Sequence, residues 1–146
     1  MIRFEIEGDP VGKGRPRVTK KGVTFTPAKT RHYEAWVKAS FLRSMQEQGI
    51  RKEEAFMEKG KKIGVIINAL FPIPKSYSKK KVHQIMMGEE QPTKKPDIDN
   101  IIKIILDSLN GLAYEDDAQI VELKASKNYT MATDEEGKVI VVIEEV

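Results

Sequence analysis

Apolar and polar side chains alternate at residues 2–7, and this period-two pattern predicts a strand with one buried face. Residues 62–71 are instead apolar on both parities, which predicts a central strand buried on both faces. Together with the shorter apolar runs, the predicted strands lie, in order, at residues 2–7, 23–25, 62–71, 118–129 and 139–143. The acidic segment Asp134–Gly137 predicts a hairpin-like turn between the last two strands.

Apolar side chains that recur every three or four residues predict helices. The predicted helices lie at residues 27–48, 79–87 and 97–110. Thr26 is the expected N-cap of the first helix, and Ser76 or Ser78 is that of the second. Residues 50–60 are expected to form a loop or a helical extension, and residues 88–95 a mobile linker.

Length and composition narrow the class of protein. A chain of 146 residues with 40% hydrophobic and 32% charged residues predicts one folded domain, residues 1–146, with a real core. The absence of cysteine excludes disulfides and thiolate metal sites. No apolar run approaches the length of a membrane span, and the first residues do not resemble a signal peptide. We therefore expect a cytoplasmic protein without a membrane partner.

Charge is distributed unevenly along the chain. Residues 1–96 carry twenty-one basic and ten acidic side chains, whereas residues 97–146 carry four basic and twelve acidic ones. Such an arrangement is typical of a phosphate-binding protein with a metal site, although charged runs also form ordinary solvated surfaces. Both interpretations are open at this point.

The first basic segment, Val11–Arg17, contains two glycines and the cations Lys13, Arg15 and Arg17. It is either a phosphate-binding loop or a flexible basic connector, and it lacks the spacing of a nucleotide-binding P-loop. Further candidate DNA-binding residues lie at the start of the second predicted helix and in the linker: Lys79, Lys80, Lys94 and Lys95.

Two acidic clusters carry the candidate chemistry. Asp97 and Asp99 lie at the start of the third predicted helix, and Glu115–Asp117 follows about one helix length later. Asp is a common N-cap, so capping explains one of the first pair without invoking a metal. If the clusters meet, an all-oxygen ligand set favours a hard cation, Mg²⁺ with Mn²⁺ as the alternative. Such ions activate water for phosphodiester cleavage.

Local geometry does not bring the two clusters together. A helix followed by a short turn and a strand places Asp117 near the end of the helix, whereas Asp97 and Asp99 lie at its start. A partner subunit or a bend in the loop would be needed to close the site. Lys103 lies one helical turn beyond Asp99, where it could neutralise charge on a phosphate.

These motifs together resemble those of a known family. The Pro96–Asn100 segment, Lys103, Asp107 and the Glu115–Gln119 segment, at this spacing, are similar to the signature of the RusA family of Holliday junction resolvases. The resemblance extends to Lys13–Arg17 and to Pro72–Lys75, so that it covers most of the chain.

The resemblance implies that Asp97, Asp99 and Asp117 are catalytic, Mg²⁺-binding carboxylates and that Lys103 assists catalysis. It also implies a homodimer of phage or prophage type that cuts four-way DNA junctions symmetrically. With the predicted elements, the expected fold is α/β (α+β), with a small mixed β-sheet and two main helices. The alternative function is a non-catalytic basic DNA-binding module, in which the acidic residues serve only as caps and turns.

Overall fold

The computed structural model describes residues 1–131 and 133–146 and contains a mixed sheet packed against two long helices. The strands are β1 (Ile2–Glu7), β2 (Arg17–Val18), β3 (Thr24–Phe25), β4 (Ile63–Phe71), β5 (Ile120–Tyr129) and β6 (Lys138–Glu145). The helices are α1 (Ala28–Glu47), α2 (Lys52–Ala55), α3 (Lys79–Met86) and α4 (Ile98–Leu109), and a 3₁₀ turn at Asp117–Gln119 precedes β5. Within those residues, none of the helices has the length and apolar character of a membrane span.

The main sheet has the strand order β1-β6-β4-β5. Strand β6 is antiparallel to both of its neighbours, whereas β4 and β5 are parallel. A parallel pair requires a long crossover, which α3 and α4 supply. Because β4 lies between β5 and β6, the predicted hairpin-like turn at Asp134–Gly137 is wrong: its residues link strands that are not neighbours.

Helices α1 and α4 cover one face of the sheet and pack against each other. Alternation puts the odd-numbered residues of β4, from Ile63 to Phe71, on this face, where all of them are buried. Phe4 of β1 meets Phe41 of α1 edge to face, with ring centroids 5.2 Å apart. The apolar side of α4 is fully enclosed through Ile101, Ile104, Ile105 and Leu109. The core therefore fixes both the position and the direction of α4.

The opposite face of the sheet is less covered than the sequence predicts. Ile66 of β4 is 41% exposed and lies beside Val142 of β6. The prediction that β4 is buried on both faces is therefore wrong, although its central position in the sheet is confirmed. Helices α1 and α4 lie on one side only, so the even-numbered side chains of β4 have no long helix above them.

Two of the predicted helix starts are corrected or refined. Pro27, not Thr26, occupies the N-cap position of α1, and its side chain supplies no capping hydrogen bond. Ser78 is the cap of α3, since its hydroxyl oxygen accepts a hydrogen bond from the Lys81 N–H at 3.2 Å. The helical extension expected within residues 50–60 is the short helix α2.

Tyr114 anchors the segment that carries the second acidic cluster. Its side chain is fully buried, and its hydroxyl donates a hydrogen bond to the Leu106 carbonyl oxygen of α4 at 2.6 Å. Burial raises the pKa of this phenol, so it remains a neutral donor. The backbone on either side of Tyr114 is also held, because Met57 bonds to Ala113 and to Glu115. The acidic residues that follow therefore start from a fixed point.

We expect Tyr114→Phe to lower the free energy of unfolding by about 1–3 kcal/mol, because the Leu106 carbonyl is left buried without its donor. Urea denaturation monitored by circular dichroism measures the change. Tyr33→Phe is the matched control, since the Tyr33 hydroxyl is buried without a hydrogen-bond partner among the described residues. Equal losses in the two variants would contradict the anchoring role of the Tyr114 hydroxyl.

Candidate metal and nucleic-acid site

A basic groove lies beside Asp97, at the start of α4. It encloses about 610 Å³ between the loop Pro10–Arg17, the start of α1 and the segment Lys95–Asn100. Five cations line it: Lys13, Arg15, Arg17, Lys29 and Lys95. The groove therefore groups four of the predicted DNA-binding residues with a predicted metal ligand. The fifth cation, Lys29, lies in the first turn of α1.

Close backbone packing brings the basic loop to α4. A Cβ atom on Gly12 would lie 2.9 Å from Pro96 Cβ and 3.1 Å from Asn100 Cβ, so a larger residue does not fit. The Lys13 N–H donates to the Asn100 carbonyl oxygen at 2.9 Å, and the Gly14 N–H donates to Thr30 Oγ1 at 3.0 Å. These two N–H groups are thus used within the fold. The two glycines therefore serve internal packing.

Lys13 is itself engaged in an internal ion pair. Its Nζ atom lies 2.8 Å from Asp107 Oδ2 on α4 and 3.7 Å from Glu34 Oε2 on α1. Partial burial acts against the charged ammonium, but the bond and charge of Asp107, aided by Glu34, outweigh it and raise the pKa of Lys13. In this arrangement Lys13 joins the loop to both long helices, while the other four cations of the groove are exposed.

The carboxylates at the start of α4 do not act as helix caps. Asp97 occupies the N-cap position, but its side chain makes no capping hydrogen bond. Its Oδ2 atom instead lies 3.2 Å from Nζ of the exposed Lys95. Asp99 follows in the first turn and is exposed. Capping therefore does not explain this pair, and both carboxylates are accessible to a ligand in the groove region.

Asp117 lies at the other end of α4. Its N–H donates to Asn110 Oδ1 at 2.8 Å, next to the last turn of the helix. Asp116 caps the 3₁₀ turn, and the Ala118 N–H, followed by Asp117, lowers the pKa of the Asp116 carboxyl. Partial burial, followed by the charges of Asp116 and Asp107, raises the pKa of Asp117. Several carboxylates thus lie close to Asp117, and a bound cation would reduce the repulsion between them.

One protomer does not bring the three carboxylates together. Asn110, the C-cap of α4, follows Asp99 by eleven positions, or roughly 16 Å at 1.5 Å per residue. Within residues 1–131 and 133–146, the structure forms no group of three or more His, Asp or Glu side chains that could hold a metal ion. The expectation that local geometry keeps Asp117 away from Asp97 and Asp99 is confirmed. Lys103, exposed on α4, lies between the two ends.

The remaining predicted DNA-binding residues, Lys79, Lys80 and Lys94, lie outside the lining of the groove. Lys79 and Lys80 are exposed in the first turn of α3, which follows the end of β4. The Lys94 carbonyl accepts a hydrogen bond from Lys127 near the end of β5. All three therefore lie toward the carboxyl ends of the parallel strands, the side at which α4 begins.

Sequence reasoning did not identify the role of Gln119. Its Oε1 atom accepts from the Asp116 N–H at 3.0 Å, and its Nε2 atom donates to the carbonyls of Met57, Glu58 and Lys61 at 3.4, 2.7 and 3.2 Å. The sequence signal was its place in the Asp-Asp-Ala-Gln segment, three residues after the Asp116 cap, where a capping box is completed.

The chain is similar to a known protein family and to a protein of Bacillus subtilis. The family model described as Endodeoxyribonuclease RusA matches residues 7–144 of the chain. The chain is also 36% identical over 150 residues to Uncharacterized protein YqaN of Bacillus subtilis (strain 168), an alignment that covers 99% of this chain and 96% of that protein.

We expect the Lys13–Asp107 pair to contribute measurably to stability. A double-mutant cycle of Lys13→Met and Asp107→Asn should give a coupling energy of about 0.5–3 kcal/mol, because the pair is only a quarter to a third exposed. Urea unfolding of the four proteins supplies the values. The exposed Arg43–Glu47 pair on α1 is the control and should couple by about 0.3–0.5 kcal/mol. A Lys13–Asp107 coupling no larger than the control would contradict the role of Lys13 as a tie between loop and helix.

Proposed function

The chain belongs to the RusA family of endodeoxyribonucleases, and from that premise we propose that it resolves four-way DNA junctions by paired, Mg²⁺-dependent incisions. The family match across nearly the whole chain is the observation that carries this proposal. The basic groove beside two accessible carboxylates supports it, because a nuclease must hold a polyanion next to its metal ligands.

Asp97, Asp99 and Asp117 are the proposed metal ligands. Their oxygen atoms suit a hard cation, Mg²⁺ or Mn²⁺, and the crowding of negative charge around Asp117 fits a cation site. Such a cation, when bound, activates water and offsets charge on the phosphate. Lys103 is exposed one helical turn beyond Asp99 and supplies a further positive charge toward that phosphate.

Arg15, Arg17 and Lys95 hold the DNA backbone in the groove, and the exposed Lys79, Lys80 and Lys94 contact it outside the groove. Lys13 contributes mainly by orienting the loop on α4, since its ammonium is paired with Asp107. Phosphate contacts of this kind dominate affinity and weaken as salt concentration rises. They read the shape of the junction more than its sequence.

A homodimer would complete the metal site. Strand β5 lies at the edge of the sheet, and its early residues Val121 and Leu123 are 58% and 44% exposed. An unpaired edge is a template for another strand. If two copies of β5 pair antiparallel across a two-fold axis, the start of one strand lies beside the end of the other. Asp117 precedes the start of β5, and Lys94 is bonded near its end.

This arrangement brings Asp117 of one protomer toward Asp97 and Asp99 of the partner subunit. The dimer would therefore bring together carboxylates that lie at opposite ends of α4 within one protomer. A C₂ dimer also places two equivalent sites on a substrate that itself has near two-fold symmetry. Paired incisions in opposite strands follow from that symmetry.

We expect the protein to nick a labelled four-way junction in the presence of Mg²⁺, with symmetric cuts, and to leave linear duplex intact. Asp99→Asn should reduce cleavage by at least about 100-fold, because the cation that offsets charge on the phosphate loses one of its ligands. Junction binding should persist in gel-shift assays. Asp134→Asn, a change at an exposed turn residue, is the control and should retain activity. Binding without nicking by the wild type would favour the non-catalytic DNA-binding module instead.

Mixing two inactive variants tests the shared site. Asp99→Asn and Asp117→Asn dimers should each be inactive, but a mixed dimer contains one site with Asp97, Asp99 and Asp117 all intact. We expect subunit exchange between the variants to restore nicking of one strand per junction, measured on denaturing gels. Sedimentation should show a dimer throughout. Continued inactivity after demonstrated exchange would place each site within a single protomer.

A further inference from the structure

A second basic surface lies at the Asp117 end of α4, opposite the groove. It is formed by the turn Glu58–Lys62, which carries three lysines: Lys59, Lys61 and Lys62. Together with Glu115, Asp116 and Gln119, these residues border an open cavity of about 500 Å³. The turn precedes β4, and β4 runs beside β5, so its position relative to Asp117 is set by the sheet.

We propose that Lys59 and Lys62, held in place by Gln119, bind the phosphate backbone of the DNA next to the scissile phosphate. This inference rests on the proposed function and adds a contact surface and a positioning residue to it. The chemical class of the ligand is a DNA phosphodiester backbone.

Gln119 makes this turn a rigid part of the site. Its amide nitrogen donates to three carbonyl oxygens of the turn and the residue before it, while its amide oxygen fixes the Asp116 N–H. Met57 adds backbone hydrogen bonds to Ala113 and Glu115. Gly60 provides the left-handed conformation that the turn requires, with φ +92°. The backbone that carries the lysines is therefore ordered before any ligand arrives, which reduces the entropy cost of binding.

The three lysines are not equivalent. Lys61 Nζ lies 3.3 Å from Glu145 Oε2, so its charge is offset by a carboxylate of the same chain in an exposed ion pair. Lys59 and Lys62 are exposed, and among the described residues neither has a carboxylate oxygen within 4.0 Å. The positive charge of Lys59 acts on Asp116 beyond ion-pair distance, and it adds to the hydrogen bonds that lower the pKa of that carboxyl. Two ammonium groups thus remain available to an external anion.

Electrostatics explains why the site needs such a surface. Glu115, Asp116 and Asp117 are consecutive acids, and a DNA backbone that approaches Asp117 is repelled by all three. At physiological salt the screening length is about 8 Å, so neighbouring lysines are close enough to offset this repulsion. Within one protomer the basic groove lies roughly a helix length away and is screened from this end. Lys59 and Lys62 supply positive charge from the same chain as Asp117, in addition to that of any groove brought close by the partner subunit.

Salt-dependent binding to a four-way junction, measured by fluorescence anisotropy without Mg²⁺, tests the proposal. The slope of log affinity against log salt should become shallower by about 1 for Lys59→Ala and for Lys62→Ala, and by about 2 for the double variant. Lys61→Ala is the control from the same turn and should keep the wild-type slope. Thermal melting confirms that each variant is folded.

An unchanged slope in the folded double variant, with a wild type that binds, overturns this inference and leaves the proposed function intact. A reduction in Lys61→Ala equal to that in its neighbours overturns the assignment to Lys59 and Lys62. A wild type that binds no branched DNA overturns both proposals.

Gln119→Leu tests the positioning role separately. It keeps every lysine but removes the amide that holds the turn, so the backbone of the turn must be ordered upon binding. We expect weaker junction binding at fixed salt with the wild-type slope retained. Faster hydrogen exchange at Gly60 and Lys61 should accompany it. Wild-type affinity in this variant overturns the role of Gln119.

Discussion

Burial of α4 is the constraint on which the arrangement of the acidic residues depends. Its isoleucines and Leu109 are enclosed between the sheet and α1, so the helix can neither slide nor bend without opening the core. Asp99 and Asn110 are therefore held roughly 16 Å apart along its axis. Because Asn110 bonds to the Asp117 backbone, the same rigid element sets the distance between the two acidic clusters. No rearrangement confined to the loops brings them together.

The basic loop depends on the same helix. Gly12 packs against Asn100, the Lys13 N–H binds the Asn100 carbonyl, and the Lys13 ammonium binds Asp107 two turns later. These contacts align the loop along α4 and simultaneously join it to α1 through Glu34. The groove cations are thereby held at fixed positions relative to the carboxylates of Asp97 and Asp99. A loop that looks flexible and glycine-rich in sequence is, in the fold, an ordered part of the site.

Sequence periodicity predicted the individual helices and strands but missed contacts between segments that are distant along the chain. It located β1, β4, α1 and α4 closely because each has a continuous apolar pattern. It could not give the strand order, and so the turn before β6 was wrongly assigned to a hairpin. The resemblance to the family predicts that the three carboxylates bind metal, and the helix predicted between the two clusters already placed them at opposite ends of α4. Gln119 was missed because its function lies in contacts with a turn some sixty residues away.

The separation of the acids has a consequence for control of the chemistry. If Asp117 meets Asp97 and Asp99 only across two protomers, a single chain has no complete metal site and cannot cut DNA alone. Catalysis then requires dimerisation, and the two-fold symmetry that completes one metal site completes the second site at the same time. For a substrate that must be cut in two strands, this coupling limits unpaired nicks. The rigid helix that keeps the acids apart within a protomer is thus what would make paired cleavage depend on the dimer.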